Sequence, residues 1–211
     1  MKKQTFWAIL LMIGLVLTRW PGLLPANFSA IHALVFCAAV YLPKKWGWFL
    51  IIPTILISDI CLNMLHYKVA PFHFYMLPNY VCYVCILFLG QRFFSPKSSW
   101  GKLLGGGLLG AVLFYLISNT FSFFIDPTYP KNLAGWIQAL TIGVPGWPPT
   151  WEFFRYGLMS TGLFTGLFVG AMKALEKIAP ADDPEEAPEE DEDEEKSPAE
   201  ESSSKKAHAK A

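Results

Sequence analysis

Asp59, Asn63 and His66 stand at i, i+4 and i+7 in an otherwise apolar run, so at 100° per residue they share one helical face. A carboxylate, an amide and an imidazole on one face can bind a polar ligand or hydrogen-bond a neighbouring helix. With further donors they can hold a metal ion, and His32, Asp59, His66 and His73 form one such candidate set. Singly, each histidine reads as a core or interface residue. A second cluster joins Glu152 and Arg155 to Trp147 and Trp151 just upstream. The planar guanidinium of Arg155 suits a carboxylate or phosphate, and the indoles can stack on a flat ring. Asn27, Asn79 and Asn119 complete the candidate ligand-binding residues. Cys82-x-x-Cys85 has metal-pair spacing but no second pair, and among Val, Ile and Tyr it reads as two small hydrophobes. No Gly-x-Ser-x-Gly, His-Glu-x-x-His or P-loop pattern is present, so neither an enzyme nor a cofactor is expected.

The elements that carry these residues are set by composition. The 211 residues are 53% apolar and 16% charged, where soluble domains run near a quarter charged. The zero net charge hides two opposite halves: twelve Lys/Arg against three acids through Leu175, then fourteen acids against five Lys. Neither a soluble enzyme nor a disulfide-stapled secreted domain fits, and no nucleic-acid partner is expected. A lipid bilayer is.

Six apolar runs approach the roughly 20 residues needed to cross about 30 Å of hydrocarbon. They are Thr5–Thr18, Phe28–Leu42, Trp46–Leu65, Phe72–Gly90, Leu103–Ile125 and Phe153–Leu175. Period-2 alternation is absent, so the fold class is all-α, a bundle of six transmembrane helices over residues 1–175. The first run follows Lys2 and Lys3 but lacks a small-residue cleavage site, so it is read as a retained helix. With both termini inside, nine Lys/Arg fall on inner edges and four (Arg19, Lys68, Lys131, Arg155) on outer ones, which fits the positive-inside rule for a bacterial cytoplasmic membrane. The Pro- and Gly-rich segment 126–152 is outer, and its apolar middle, Leu133–Gly143, is too short to span; it lies in the interface or folds back over the bundle. Residues 176–211 are too acidic and Pro-rich to bury a core, and are expected to be a disordered cytoplasmic tail.

Depth separates the polar residues from the small ones. Asn27, Ser29 and His32 open the second helix from outside, His73 and Asn79 the fourth, Glu152 and Arg155 the sixth. Asp59, Asn63 and His66 lie in the outer half of the third, and Ser118 and Asn119 in that of the fifth. The inner halves carry Gly106-x-x-x-Gly110 and Gly162-x-x-x-Gly166-x-x-x-Gly170, small faces that let backbones close together. Polar outside and sealed inside describes a cup, whereas a channel needs polar lining at every depth.

Several motifs carry a resemblance. Pro25-Ala26-Asn27-Phe28-Ser29-Ala30-Ile31, Ile57-Ser58-Asp59, Ser118-Asn119-Thr120-Phe121, Tyr129-Pro130 and Val144-Pro145-Gly146-Trp147-Pro148-Pro149-Thr150-Trp151 resemble an uncharacterised family of small bacterial integral membrane proteins. That family in turn looks like the substrate-binding S components of energy-coupling-factor (ECF) transporters. The likeness covers roughly residues 5–175. It implies a six-helix subunit that binds a vitamin-like nutrient near the outer face and is energised by a membrane coupling subunit and two ATPases. Where S components often carry Ala-x-x-x-Ala on helix one, this chain reads Ala8-x-x-x-Met12.

The functional expectation is a transport protein whose outward pocket is lined by Asn27, His32, Asp59, Asn63, His66, Asn79, Asn119, Trp147, Trp151, Glu152 and Arg155. The alternatives are a transition-metal permease, and a structural or assembly protein whose acidic tail recruits a basic partner.

Overall fold

The computed structural model describes residues 3–25 and 27–178. The chain divides into two units, Met1–Ala179 and Pro180–Ala211. The tail expected beyond Ile178 lies outside the described residues.

The first unit is helical. Among the described residues seven helices run in order: α1 (Lys3–Leu17), α2 (Ile31–Tyr41), α3 (Lys44–Tyr67), α4 (Met76–Phe93), α5 (Trp100–Ile125), α6 (Leu133–Leu140) and α7 (Thr150–Ile178). Six of them fall on the six apolar runs, and α6 forms from the apolar middle of the outer segment. Among the described residues only three, α3, α5 and α7, are long and apolar enough to cross a membrane, by length and composition. The expectation of six full spans is met more coarsely, because α1 has 15 residues and α2 only 11, and α4, with 18, is not apolar enough. At 1.5 Å per residue α2 reaches about 16 Å, half a hydrocarbon layer.

α2 is the hub of the fold. Every one of its residues is buried, and α1, α4, α5 and α7 pack around it. A helix wrapped by others needs no polar face, which explains a sequence apolar all round. Around its Tyr41 end the packing is tight: Phe36 meets Phe94 edge-on at 5.2 Å, and Tyr41 lies 5.4 Å from Phe168. A Cβ on Gly106 would stand 2.5 Å from the Phe36 ring, and one on Gly90 2.5 Å from the Ala39 Cβ. Those two glycines let α5 and α4 close on the hub. Ala8 and Met12 of α1 are buried in the same core, so that face is spent inside the chain.

α3 is less regular. Two π-helical turns, Gly47–Ile51 and Leu62–Tyr67, flank an α-helical middle, Ile52–Cys61. Pro53 explains the first, since it brings no N–H and its ring crowds the preceding turn, which widens. Lys68, in the left-handed region at φ 55°, ends the helix. α5 starts on Ser99, whose hydroxyl accepts from the Lys102 backbone N–H, and α6 starts on Asn132, whose side chain accepts from Gly135 N–H. α6 folds back on its neighbours: Trp136 Nε1 donates to Thr120 Oγ1 at 3.0 Å, and Ala139 joins Phe123 and Tyr129 in a small second core.

Candidate functional site

The apolar hub begins and ends differently. Before Ile31 the chain turns: Asn27 is in the left-handed region at φ 62°, and the Phe28 N–H donates to the Pro25 carbonyl at 3.0 Å. There α2, α4, α5 and α7 border a half-open cavity of about 300 Å³. Its polar lining comes from Asn27 and Ser29 ahead of α2, His32 in its first turn, Ser118 and Asn119 on α5, and Thr150 at the head of α7. Its walls are aromatic: Tyr83, Phe114, Tyr115, Phe153 and Phe154. Tyr115 stacks on Phe154 at 4.3 Å, and Tyr83 lies parallel to Phe114 at 6.1 Å.

His32 is the chemically exposed member of this set, although it is 8% accessible. Its ring sits 4.2 Å from Phe114, and Nδ1 faces Thr161 Oγ1 at 3.4 Å. Nε2 is buried without a hydrogen-bond partner. A buried polar atom left unsatisfied costs about 1–3 kcal/mol, which a turn of the ring toward the cavity and a ligand there would recover. Asn119 donates its amide N–H to the Tyr115 carbonyl at 2.8 Å, which leaves Oδ1 as an acceptor at the same cavity.

Asn27 and Ser29 also line a second hollow of about 540 Å³, formed with the loop after α1, Arg19 and Tyr67. Arg19, Trp20 and Leu62 in turn border an apolar groove of about 530 Å³ between α1 and α3. The three spaces share wall residues in sequence.

Three of the eleven expected residues, Asn27, His32 and Asn119, meet at the cavity. Asp59 is spent elsewhere. Arg19 forms an ion pair with it and also donates to Ser58 Oγ, while the Tyr80 hydroxyl donates to its second oxygen at 2.7 Å. Asn63 is buried and donates to the Pro71 carbonyl at 3.1 Å, fastening the loop into α4. His66 is exposed and stands edge-on to Tyr67 at 4.8 Å. The shared face of Asp59, Asn63 and His66 assumes 100° per residue, and the π-turn over Leu62–Tyr67 breaks that phase. Asn79 is half-buried on α4. Trp147 and Trp151 are exposed, Glu152 is half-buried, and Arg155 lies over the Trp151 and Tyr156 rings at 5.3 and 5.1 Å. His32, Asp59, His66 and His73 are not brought together. Among the described residues no three His, Cys, Asp or Glu side chains converge on a metal position.

The aromatic walls and the Arg19 partner were not among the expected residues. Arg19 did leave a signal: Asp59 is the first acid in the chain, and a lone carboxylate in an apolar helix demands a cation. In the loop after α5, Asp126 accepts from the Thr128 hydroxyl at 2.7 Å and its N–H at 2.9 Å. Those bonds, the hydroxyl first, hold its carboxyl below the usual range. Burial pushes the Tyr129 phenol up.

Among the described residues the protein is all-helical, three of its helices are long and apolar enough to cross a membrane, and it carries a polar, aromatic-walled cavity. The chain belongs to the DUF6580 family of unknown function, whose profile matches residues 1–182. No curated protein and no solved structure matches it.

Proposed function

We propose that this chain is a membrane-embedded binding subunit that takes a small nutrient from the outer face into the cavity at the head of α2. The observation that carries the reading is the buried, unpartnered Nε2 of His32 at an aromatic-walled cavity, above a hub packed solid toward Tyr41. A through-going pore would need polar lining along α2, and beyond His32 its sequence is Ala-Leu-Val-Phe-Cys-Ala-Ala-Val-Tyr.

In this reading α1–α5 and α7 cross or enter the bilayer, both termini face the bacterial cytoplasm, and α6 caps the outer side. α2 can be short because it is surrounded by protein, where a non-helical segment such as 27–30 finds partners other than lipid. The likeness to ECF S components rests on the sequence motifs together with this cup. Docking an energising module would need a face other than Ala8/Met12, which the core already occupies.

The test is native mass spectrometry of the full chain extracted in mild detergent. A retained small molecule is the expected result, and an ATPase-containing complex would support coupling. A preparation that retains nothing, and that no fraction of growth medium stabilises against heat, contradicts the reading.

A further inference from the structure

The cavity can be read for the chemistry of what fills it, on the premise that it is a binding site. We infer that its ligand is an uncharged, flat molecule of one or two rings with an amide- or lactam-like edge.

Charge is excluded by the lining. None of the described residues around the cavity is Asp, Glu, Lys or Arg. An ion moved into this half-open, aromatic-walled space sheds part of its hydration and needs a counter-charge to offset that cost. The cations near enough to be considered are engaged elsewhere: Arg19 is committed to Asp59 and Ser58, and Arg155 lies exposed across Trp151 and Tyr156. With no carboxylate among the lining residues to hold an imidazolium, His32 serves as a neutral ring with one donor and one acceptor.

Shape follows from the walls. Tyr83, Phe114, Tyr115 and Phe154 offer two parallel ring pairs, a surface on which a planar ring gains offset-stacked contact. A volume of about 300 Å³ is at the lower end of small-molecule sites, which limits the occupant to one or two rings.

The hydrogen-bonding edge follows from the two polar groups left open. The Tyr115 carbonyl can only accept, so the Asn119 NH2 is fixed toward it and Oδ1 remains an acceptor. The 3.4 Å contact between Thr161 Oγ1 and His32 Nδ1 fits either direction; in the tautomer where the hydroxyl donates, Nε2–H is the donor, and we take that tautomer. One donor and one acceptor at one cavity complement the C=O and N–H of an amide or lactam. The residues that looked suited to a charged ligand in the sequence, Asp59 and Arg155, do not line this space.

Three matched probes test this on the full chain in nanodiscs: 2-naphthamide, 2-naphthoate and 2-naphthylmethylammonium. Binding is read by naphthyl fluorescence in wild type, His32→Phe and Gly157→Leu. Gly157 lines the cavity, and a Cβ there meets nothing within 4 Å, so leucine fills space without displacing the core. The expected result is saturable binding of the amide at least tenfold tighter than either ion, weakened tenfold by His32→Phe and abolished by Gly157→Leu. An ion that binds wild type as tightly as the amide, with Gly157→Leu abolishing it, overturns the inference and leaves the binding reading standing. If no probe binds in a Gly157-dependent way while native mass spectrometry shows a retained molecule, the ligand class is wrong. Without either signal, both readings fall.

Discussion

Arg19 and Asp59 form an ion pair across forty residues of sequence, and the carboxylate binds the Tyr80 hydroxyl through its other oxygen. One side chain therefore ties the loop after α1, the middle of α3 and the start of α4. α3 otherwise leaves Phe49, Ile57 and Leu65 well exposed on its outer side, so this clasp is a main point at which the helix is held. Asp59 is thus two contacts removed from the cavity, through Tyr80 and then Tyr83, whose rings meet edge-on at 5.6 Å.

Breaking the clasp from one side leaves a charge with 12% or 18% exposure and no counter-charge, held only by Ser58 or by Tyr80. Arg19→Met and Asp59→Leu should each cost about 1–3 kcal/mol, less than the loss for a fully buried pair. The double variant should cost clearly less than the sum, with a coupling of about 1 kcal/mol or more, measured by thermal unfolding in micelles. Additive losses would show that the two side chains do not depend on each other.

At the cavity, His32→Phe keeps an aromatic ring but removes both nitrogens. A lost hydrogen bond to a buried partner is worth about 1–2 kcal/mol, so affinity for the retained molecule should fall roughly tenfold or more. Melting of the ligand-free protein should change little. Undiminished affinity would place the ligand elsewhere.

Glycines on one helix should behave oppositely. A Cβ on Gly107 would stand 2.6 Å from Thr165 Oγ1, where α5 crosses α7, whereas one on Gly105 meets open space. Gly107→Val is expected to destabilise by about 1–3 kcal/mol through overpacking. Gly105→Ala should stabilise by about 0.5–1 kcal/mol through backbone entropy. Equal effects would contradict the close α5–α7 contact.

The Asp126 turn gives a pH signature. Its carboxyl is held below the usual range by Thr128, so the turn is fully formed above the ordinary carboxylate value and loosens as pH falls through the lowered one. Thr128 amide exchange should remain slow at about pH 4 and accelerate only in stronger acid. Asp126→Asn should remove that acid step. A Thr128 amide indifferent to pH would rule out the carboxylate as its acceptor.

Much of the scaffold was legible in the sequence because apolar runs, Pro and Gly punctuate it. The run Leu103–Ile125 reappears within α5, and the short apolar stretch after Asn132 folds back as α6. Of the candidate site, Asn27 and His32 were legible as polar residues at the start of α2, and Asn119 as one toward the end of α5. The aromatic walls were not, because Phe and Tyr in an apolar helix carry no mark that separates a cavity wall from a lipid-facing ring. The partnership of Arg19 with Asp59 depends on how α1 and α3 meet, which spacing along one chain does not encode. His66 was misplaced by the assumption of a regular helix through Leu62–Tyr67.

The most direct measurement compares the small molecule retained by wild type and by Gly157→Leu, both as full chains released gently from membranes and weighed intact. Wild type should carry a stoichiometric adduct of low mass, and the leucine variant, folded and equally heat-stable, should carry none. An adduct of the same mass and occupancy in both would show that whatever the protein holds does not sit beside His32.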